Sequence, residues 1–210
     1  MDLKIDKPTL RVFYGSDFHA DFWQYSVNPF FDRVNPEDFD LFIFAGDVGE
    51  WRDPNCREIY DPILAWNKPI IMVPGNHEFY GAEYQHVMES IGEYAEANPL
   101  FYLLEDNFVD LTEQKIRIWG STFWTDFQGD FEAMSVARRR MNDYQRIYYH
   151  RLHGGVLLLV ELPVLVEVVL LVAVRDRDGL DRALLRRIAS GGRGGHEQHA
   201  CTPSAQSGED

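Results

Sequence analysis

Each of three apolar runs in the sequence ends in a cluster of polar side chains. The residues that follow these runs and could do chemistry are Asp17, His19, Asp47, Asn76 and His77. Carboxylates, imidazoles and an amide oxygen together suit a divalent transition metal. An aspartate placed between two other ligands can bridge two ions about 3.5–4 Å apart, which is the spacing used for phosphoryl displacement. A histidine beside the metals, but not bound to them, can protonate a leaving oxygen.

The three apolar runs are residues 10–14, 41–45 and 70–73. Such near-continuous hydrophobic runs are typical of strands buried on both faces, in a parallel or mixed sheet covered by helices. Asp47 follows Asp17 by 30 residues and precedes Asn76 by 29, about one strand–helix–strand unit per step. Because ligands in open α/β sheets lie beyond the carboxyl ends of the strands, we expect the five polar residues to converge at one sheet edge. Glycines before Asp47 and Asn76 allow the sharp backbone turns that this requires.

Each of these residues also has a simpler explanation when it is taken alone. Asp17 suits a turn, and Asp47 and Asn76 suit helix N-caps, with Glu78 in the first turn after Asn76. The two histidines could be ordinary surface residues. Three independent caps would not require Asp-x-His, Gly-Asp and Gly-Asn-His at near-equal spacing, so the combination favours a metal site.

The rest of the first 150 residues predicts further short elements. Tyr84, Val87, Met88, Ile91 and Ala95 recur at helical spacing and predict a helix over residues 82–97. A second helix is predicted over residues 130–141, with Asp130 as its N-cap. Short strands are expected over residues 101–104, 108–111 and 116–119, in a meander.

Composition narrows the class of protein. The chain has 210 residues and a formal net charge of −14, which argues against nucleic-acid binding through a basic patch. Its two cysteines match no disulfide or metal spacing, and its N-terminus lacks the apolar region of a signal peptide, so we expect a cytoplasmic protein. Glycine-rich nucleotide motifs and Ser or Cys nucleophile motifs are absent from the sequence.

The composition changes near residue 150. All 29 aromatic residues and all four lysines precede that point. We therefore divide the chain into residues 1–150 and an atypical tail, 151–210. The tail holds an apolar stretch, residues 156–174, which is interrupted by two glutamates and a proline but is long enough for an alternative in which it attaches the protein to a membrane. A short helix is predicted over residues 180–188, and disorder over 189–210.

The motifs resemble the signature of the calcineurin-like metallophosphoesterases, and most closely that of a bacterial subgroup. The matching segments are Asp17-Phe18-His19, Gly46-Asp47, Val73-Pro74-Gly75-Asn76-His77-Glu78-Phe79-Tyr80-Gly81, Phe123-Trp124-Thr125-Asp126-Phe127 and Met141-Asn142-Asp143-Tyr144. This resemblance covers about residues 10–149. It implies an α/β fold of mixed β-sheets in a sandwich flanked by helices, incomplete at the C-terminus.

The resemblance also implies an activity and a set of site residues. A dinuclear-metal-bound hydroxide would hydrolyse a phosphate mono- or diester, and the two divalent ions would be Mn, Fe, Zn or similar. Asp17 and His19 would bind the first metal, Asp47 would bridge, Asn76 would bind the second metal, and His77 would be the general acid. The substrate and the oligomeric state cannot be read from the sequence. In the later matching segments, we assign no functional role to Trp124, Asp126, Asn142 and Asp143. Packing and turn formation are sufficient to explain these residues.

The family's downstream histidines have no counterpart in the sequence. The family uses a lone metal-binding histidine and then Gly-His-x-His, whereas Gly195-His196-Glu197-Gln198-His199 has one residue too many. Both metal sites would then be under-coordinated, so one alternative is an impaired or inactive remnant of the family. We hypothesise that the tail is translated in a shifted reading frame. The +1 frame of the gene after about codon 150 should then encode a family-like helix, strand and Gly-His-x-His.

Overall fold

The structure is a computed structural model that describes residues 1–23, 30–153, 156–160, 164–175 and 181–185, and the side chains among them up to residue 149. The strands are β1 Asp2–Leu3, β2 Val12–Gly15, β3 Leu41–Ala45, β4 Ile70–Val73, β5 Ala82–Glu83, β6 Phe101–Leu103, β7 Asn107–Leu111, β8 Ile116–Thr125, β9 Ile147–His153, β10 Val156–Val160, β11 Val164–Arg175 and β12 Asp181–Leu185. The α-helices are α1 Pro54–Ala65, α2 Tyr84–Ala97, α3 Phe131–Arg140 and α4 Asp143–Arg146. Single 3₁₀ turns at Ala20–Phe22 and His77–Phe79 follow β2 and β4.

The three predicted strands form the centre of one parallel sheet. Its order is β2-β3-β4-β6, and every neighbouring pair is parallel. All residues of β3 and β4 are buried, as their uninterrupted apolar sequences predict. The carboxyl ends of β2, β3 and β4 therefore lie side by side at one edge of the sheet.

A second sheet packs against one face of the first. Its order is β1-β7-β8-β11-β12, with β1 parallel to β7 and the other pairs antiparallel. Because side chains alternate along a strand, Ile43 and Ile71 face this sheet and meet Val109 and Ile118 in a shared core. Gly120 of β8 lies at the closest approach of the two sheets, since a Cβ there would be 2.5 Å from a methyl group of Val73.

The other face of the parallel sheet is covered by helices. Phe42, Phe44 and Met72 pack into a core that the buried sides of α1 and α2 complete. The outcome is a layered mixed α/β fold with two sheets and flanking helices. This confirms the predicted fold class.

Several predicted elements need correction. The expected meander is wrong, because the first of its three strands, β6, extends the first sheet parallel to β4. The other two, β7 and β8, pair antiparallel with each other in the second sheet. The helix expected over residues 180–188 is also wrong within the described residues, where β12 pairs with β11. Helix α1 lies between β3 and β4, where one strand–helix–strand unit was expected, although no bounds were predicted for it. Helices α2 and α3 are confirmed with ends shifted by at most two residues, and Asp130 accepts hydrogen bonds as the cap of α3.

The apolar stretch in the tail forms strands. It contributes β10 and most of β11, and β11 pairs with β8 over residues 164–174. Among the residues that the structure describes, no helix has the length and apolar character needed to cross a membrane. The disorder prediction for residues 189–210 falls outside the described residues.

Candidate metal centre

The loop after β2 is joined to the loop after β3 by hydrogen bonds that continue the parallel ladder. The N–H groups of Asp17 and His19 donate to the carbonyls of Gly46 and Asp47, at 3.1 and 3.0 Å. These bonds place Asp17, His19 and Asp47 so that one potential ligand atom of each lies within 4.8 Å of the other two. The expected convergence at one sheet edge is therefore present for these three residues.

The backbone at these three residues is left-handed. The φ angles are 59° at Asp17, 49° at His19 and 55° at Asp47. Non-glycine residues in this region cost of order 1–3 kcal/mol each, although short polar side chains such as Asp tolerate it best. The hydrogen bonds between the two loops hold this conformation, so the side chains are oriented before any ligand arrives.

Gly75 fits against Asp47 with no room for a side chain. A Cβ at position 75 would lie 2.3 Å from Asp47 Oδ1 and 2.6 Å from Asp47 N. Beyond Gly75, the N–H of His77 donates to Asp47 Oδ1 at 2.9 Å. Gly46 has the positive φ, 82°, expected for a sharp turn, whereas close approach rather than a positive φ explains Gly75.

Glu78 ties the ends of β3 and β4 together. Its buried carboxylate accepts hydrogen bonds from the N–H groups of Asp47, Val48 and Gly75 at 3.0, 2.7 and 2.6 Å. Burial, and then the charge of Asp47, raises the pKa of Glu78 to about 8, although the three N–H donors favour the carboxylate. From the sequence, Glu78 was expected only as an acidic residue in the first turn after Asn76. Its contacts could not be predicted, because they depend on how β3 and β4 pair.

Asn76 is held by two side chains rather than acting as a cap. Its side chain makes no capping hydrogen bond to the 3₁₀ turn that follows it. Its Nδ2 instead donates to the Tyr80 hydroxyl at 2.8 Å and to Asp143 Oδ1 at 2.7 Å. The cap alternative for Asn76 is therefore wrong, and its amide oxygen is not the atom used in these two bonds.

His77 lies against His19. Their Nδ1 atoms are 3.1 Å apart, so one ring donates a hydrogen bond to the other. Burial, and then the positive charges of His19 and Arg146, lowers the pKa of His77 to about 4, against the opposing charge of Glu50. His77 thus lies beside the group formed by Asp17, His19 and Asp47.

A second group of potential ligands overlaps the first. Ligand atoms of His19, Asp21 and His77 also lie within 4.8 Å of one another. Asp21 Oδ1 is buried and has no hydrogen-bond partner within the part of the chain that the structure describes. Burial, and then the charge of Glu50, raises the pKa of Asp21. Asp21 was not predicted as a site residue, although its position two residues after His19 is a signal in the sequence that could have indicated it.

The site fits divalent cations. Asp47 is buried beside two other carboxylates, and burial followed by the charges of Asp17 and Asp143 raises its pKa to about 6. A cation would offset this accumulation of negative charge and would satisfy the unpaired oxygen of Asp21. Carboxylate and imidazole donors in this number suit transition metals.

Other residues singled out from the sequence have different positions. Trp124 packs against Phe79 and Tyr84, and Asp126 accepts a hydrogen bond from Gln128 N in a turn. Asp143 differs, because it contacts Asn76 and Tyr80. His196 and His199 fall outside the described residues.

Comparison with known proteins identifies the family. The chain matches calcineurin-like phosphoesterases over residues 10–187, which reaches past residue 149, where the resemblance of the motifs ended, and leaves residues 188–210 outside. Searches of curated proteins and of solved structures found no significant match. Members of this family generally hydrolyse phosphoester bonds with the help of divalent metals, and the Asp and His groups described above could hold such ions. The match covers most of the sequence, and the chain therefore belongs to the calcineurin-like phosphoesterase family.

Proposed function

We propose that this chain hydrolyses phosphate mono- or diesters with two divalent ions bound at the carboxyl edge of β2, β3 and β4. The observation that supports this most directly is the convergence of Asp17, His19 and Asp47 within 4.8 Å, in a chain of this family. When bound, the ions would neutralise the charge of the phosphate and activate a water for in-line attack on phosphorus. The metals would be Mn, Fe, Zn or similar.

The proposed roles are those that the resemblance to the family implies. Asp17 and His19 would hold the first ion and Asn76 the second. Asp47 would bridge, since it lies between the loop of His19 and that of His77 and makes backbone contacts with both. The bond from His77 N to Asp47 Oδ1 fixes the position of His77 relative to the bridging residue.

His77 would supply the proton to the leaving oxygen. Its ring is half-buried beside His19, so part of it remains accessible from the site. The negative charge of a bound phosphate would favour the protonated ring over the neutral one. A proton delivered at this position avoids the release of a free alkoxide or phenoxide.

A second candidate function is an impaired remnant of the family. The observation that favours it is the sequence itself, which contains no Gly-His-x-His. With fewer ligands per ion, metal affinity and turnover would fall together. Sequencing the gene tests whether a frameshift caused the loss of the downstream histidines. A +1 frame without family-like segments after about codon 150 would exclude the frameshift hypothesis.

Activity measurements separate the two functions. The purified chain is assayed with Mn²⁺ on an aryl phosphate monoester and on a diester, beside Asp47→Asn and the matched control Glu96→Gln. Glu96 is an exposed carboxylate in the last turn of α2 and lies outside the site. If the chain is an enzyme, Asp47→Asn should lower kcat/KM by at least about 100-fold, and Glu96→Gln should leave kcat/KM unchanged. Absence of hydrolysis, with metal content well under one ion per chain, supports the remnant.

A further inference from the structure

The side-chain amide nitrogen of Asn76 donates to two acceptors. Its Nδ2 donates to the Tyr80 hydroxyl oxygen at 2.8 Å and to Asp143 Oδ1 at 2.7 Å. The Tyr80 hydroxyl in turn donates to the same oxygen of Asp143 at 2.5 Å. Asn76, Tyr80 and Asp143 thus form a closed triangle of hydrogen bonds, which we call the amide clamp.

The amide clamp permits only one orientation of Asn76. An ionised carboxylate accepts hydrogen bonds but cannot donate them. If the amide were turned over, its oxygen would face Asp143 Oδ1 at 2.7 Å with no hydrogen between them, and a buried contact of that kind is strongly unfavourable. The NH₂ group must therefore face the clamp, which leaves Oδ1 as the atom available to a metal.

The position of Asp143 is set by contacts that surround the clamp. Asp143 begins α4, and the N–H of Gly81, directly after Tyr80, donates to the carbonyl of Arg146 at the end of α4, at 2.6 Å. One residue further, β5 pairs in parallel with β9, joining Ala82 to Ile147. The Arg146 guanidinium also lies over the Tyr80 ring, 4.5 Å from its centroid. The segments that carry Tyr80 and Asp143 are thereby aligned with each other next to the amide nitrogen of Asn76.

We propose that Asp143 is a positioning residue that acts with Tyr80 to hold the amide oxygen of Asn76 ready for the second metal ion. This inference rests on the proposed function, because it assumes that Asn76 binds that ion. Both residues act through Asn76 rather than on the metal. Loss of such supporting hydrogen bonds commonly lowers metal affinity by about 10- to 100-fold.

The test measures binding of Mn²⁺ alone, by isothermal titration calorimetry, to the full chain and to variants. Tyr80→Phe is the decisive variant, because it removes one arm of the clamp and keeps both the ring and the net charge. It should weaken the second Mn²⁺ site by about 10-fold or more and leave the first site unchanged. Asp143→Asn should weaken the second site further. It should also weaken the first site slightly, since it removes a negative charge near Asp47.

A double-mutant cycle distinguishes positioning from a general structural role. Asn76→Ala should abolish the second site, and adding Tyr80→Phe to Asn76→Ala should then cause no further change in Mn²⁺ binding. A general structural role of Tyr80 predicts instead that its effect persists without Asn76 and extends to the first site. If Asp143→Asn does not fold, Tyr80→Phe and the cycle still decide the outcome.

The possible failures are distinguishable. If Asn76→Ala loses the second site while Tyr80→Phe keeps wild-type affinity, the positioning role is refuted and the proposed metal site stands. If wild-type protein binds no second Mn²⁺ even at millimolar concentration, or Asn76→Ala binds it like wild type, the assignment of Asn76 is refuted and the clamp inference falls with it.

Discussion

The close fit of Gly75 against Asp47 gives a specific prediction for Gly75→Ala. An added Cβ would lie 2.3 Å from Asp47 Oδ1, whereas ordinary contact begins near 3.4 Å, so one group must move by about 1 Å. The Asp47 backbone nitrogen lies 2.6 Å from the same point, so a rotation of the Asp47 side chain alone does not relieve the overlap. Overpacking of this kind costs about 1–3 kcal/mol of unfolding free energy.

The same displacement acts on function. Moving Asp47 would lengthen the 2.9 Å bond from His77 N and shift the proposed bridging ligand. A misplacement of about 1 Å can cost about 100-fold in rate, so we expect kcat/KM to fall by about that factor and Mn²⁺ affinity to fall with it.

Gly92→Ala provides the matched control. Gly92 lies within α2, and an added Cβ there would meet nothing within 4 Å in the described structure. Replacing a helical glycine with alanine should stabilise the protein by about 0.5–1 kcal/mol and leave metal binding unchanged. The same chemical change thus has opposite predicted signs at the two positions.

Urea unfolding followed by tryptophan fluorescence measures both stabilities, and calorimetry measures Mn²⁺ affinity. A Gly75→Ala variant that matches wild type in stability and in Mn²⁺ affinity would refute the predicted overlap with Asp47. A Gly92→Ala variant that is less stable than wild type would contradict the account of α2.

Three further predictions concern stability. Because the pKa of Glu78 is raised from 4.5 to about 8, the wild type should lose unfolding free energy as the pH rises between these values, whereas Glu78→Gln should not, and parallel pH profiles of the two proteins would contradict this. Burial alone would raise the pKa of Asp40, but the N–H of Arg11 and the ammonium of Lys7 hold it below 3.8. Asp40→Asn should therefore cost about 1 kcal/mol at pH 7, and the difference from wild type should vanish as unfolding is measured at pH values falling below about 3.8. Asp130→Ala should cost about 1 kcal/mol in urea unfolding because it removes the N-cap of α3, and an unchanged midpoint would show that the cap contributes nothing.

The sequence was sufficient for features that depend on neighbouring residues. The apolar runs at 41–45 and 70–73 predicted strands with the observed ends, because burial on both faces requires an uninterrupted apolar sequence and glycine or proline ends it. The convergence of Asp17, His19 and Asp47 could also be predicted, since parallel strands bring their carboxyl ends to one edge.

Tertiary structure decided what depends on distant residues. Residues 181–185 (DRALL) have a composition that suits a helix, yet they form β12, because pairing with β11 overrides local propensity. Phe101–Leu103 was predicted as the first strand of a meander, yet it pairs in parallel with β4 after α2 has crossed the first sheet.

The same division applies to the candidate metal centre. The types and spacing of its residues were visible in the sequence, because a ligand set is a local pattern repeated at each strand end. The groups that orient those ligands were not, since Glu78 reaches N–H groups on two loops and Asp143 reaches Asn76 from 67 residues away. The sequence by itself therefore determined which side chains could bind metal. Only the folded chain decided which way they face, because their hydrogen-bond partners come together when the strands and helices pack.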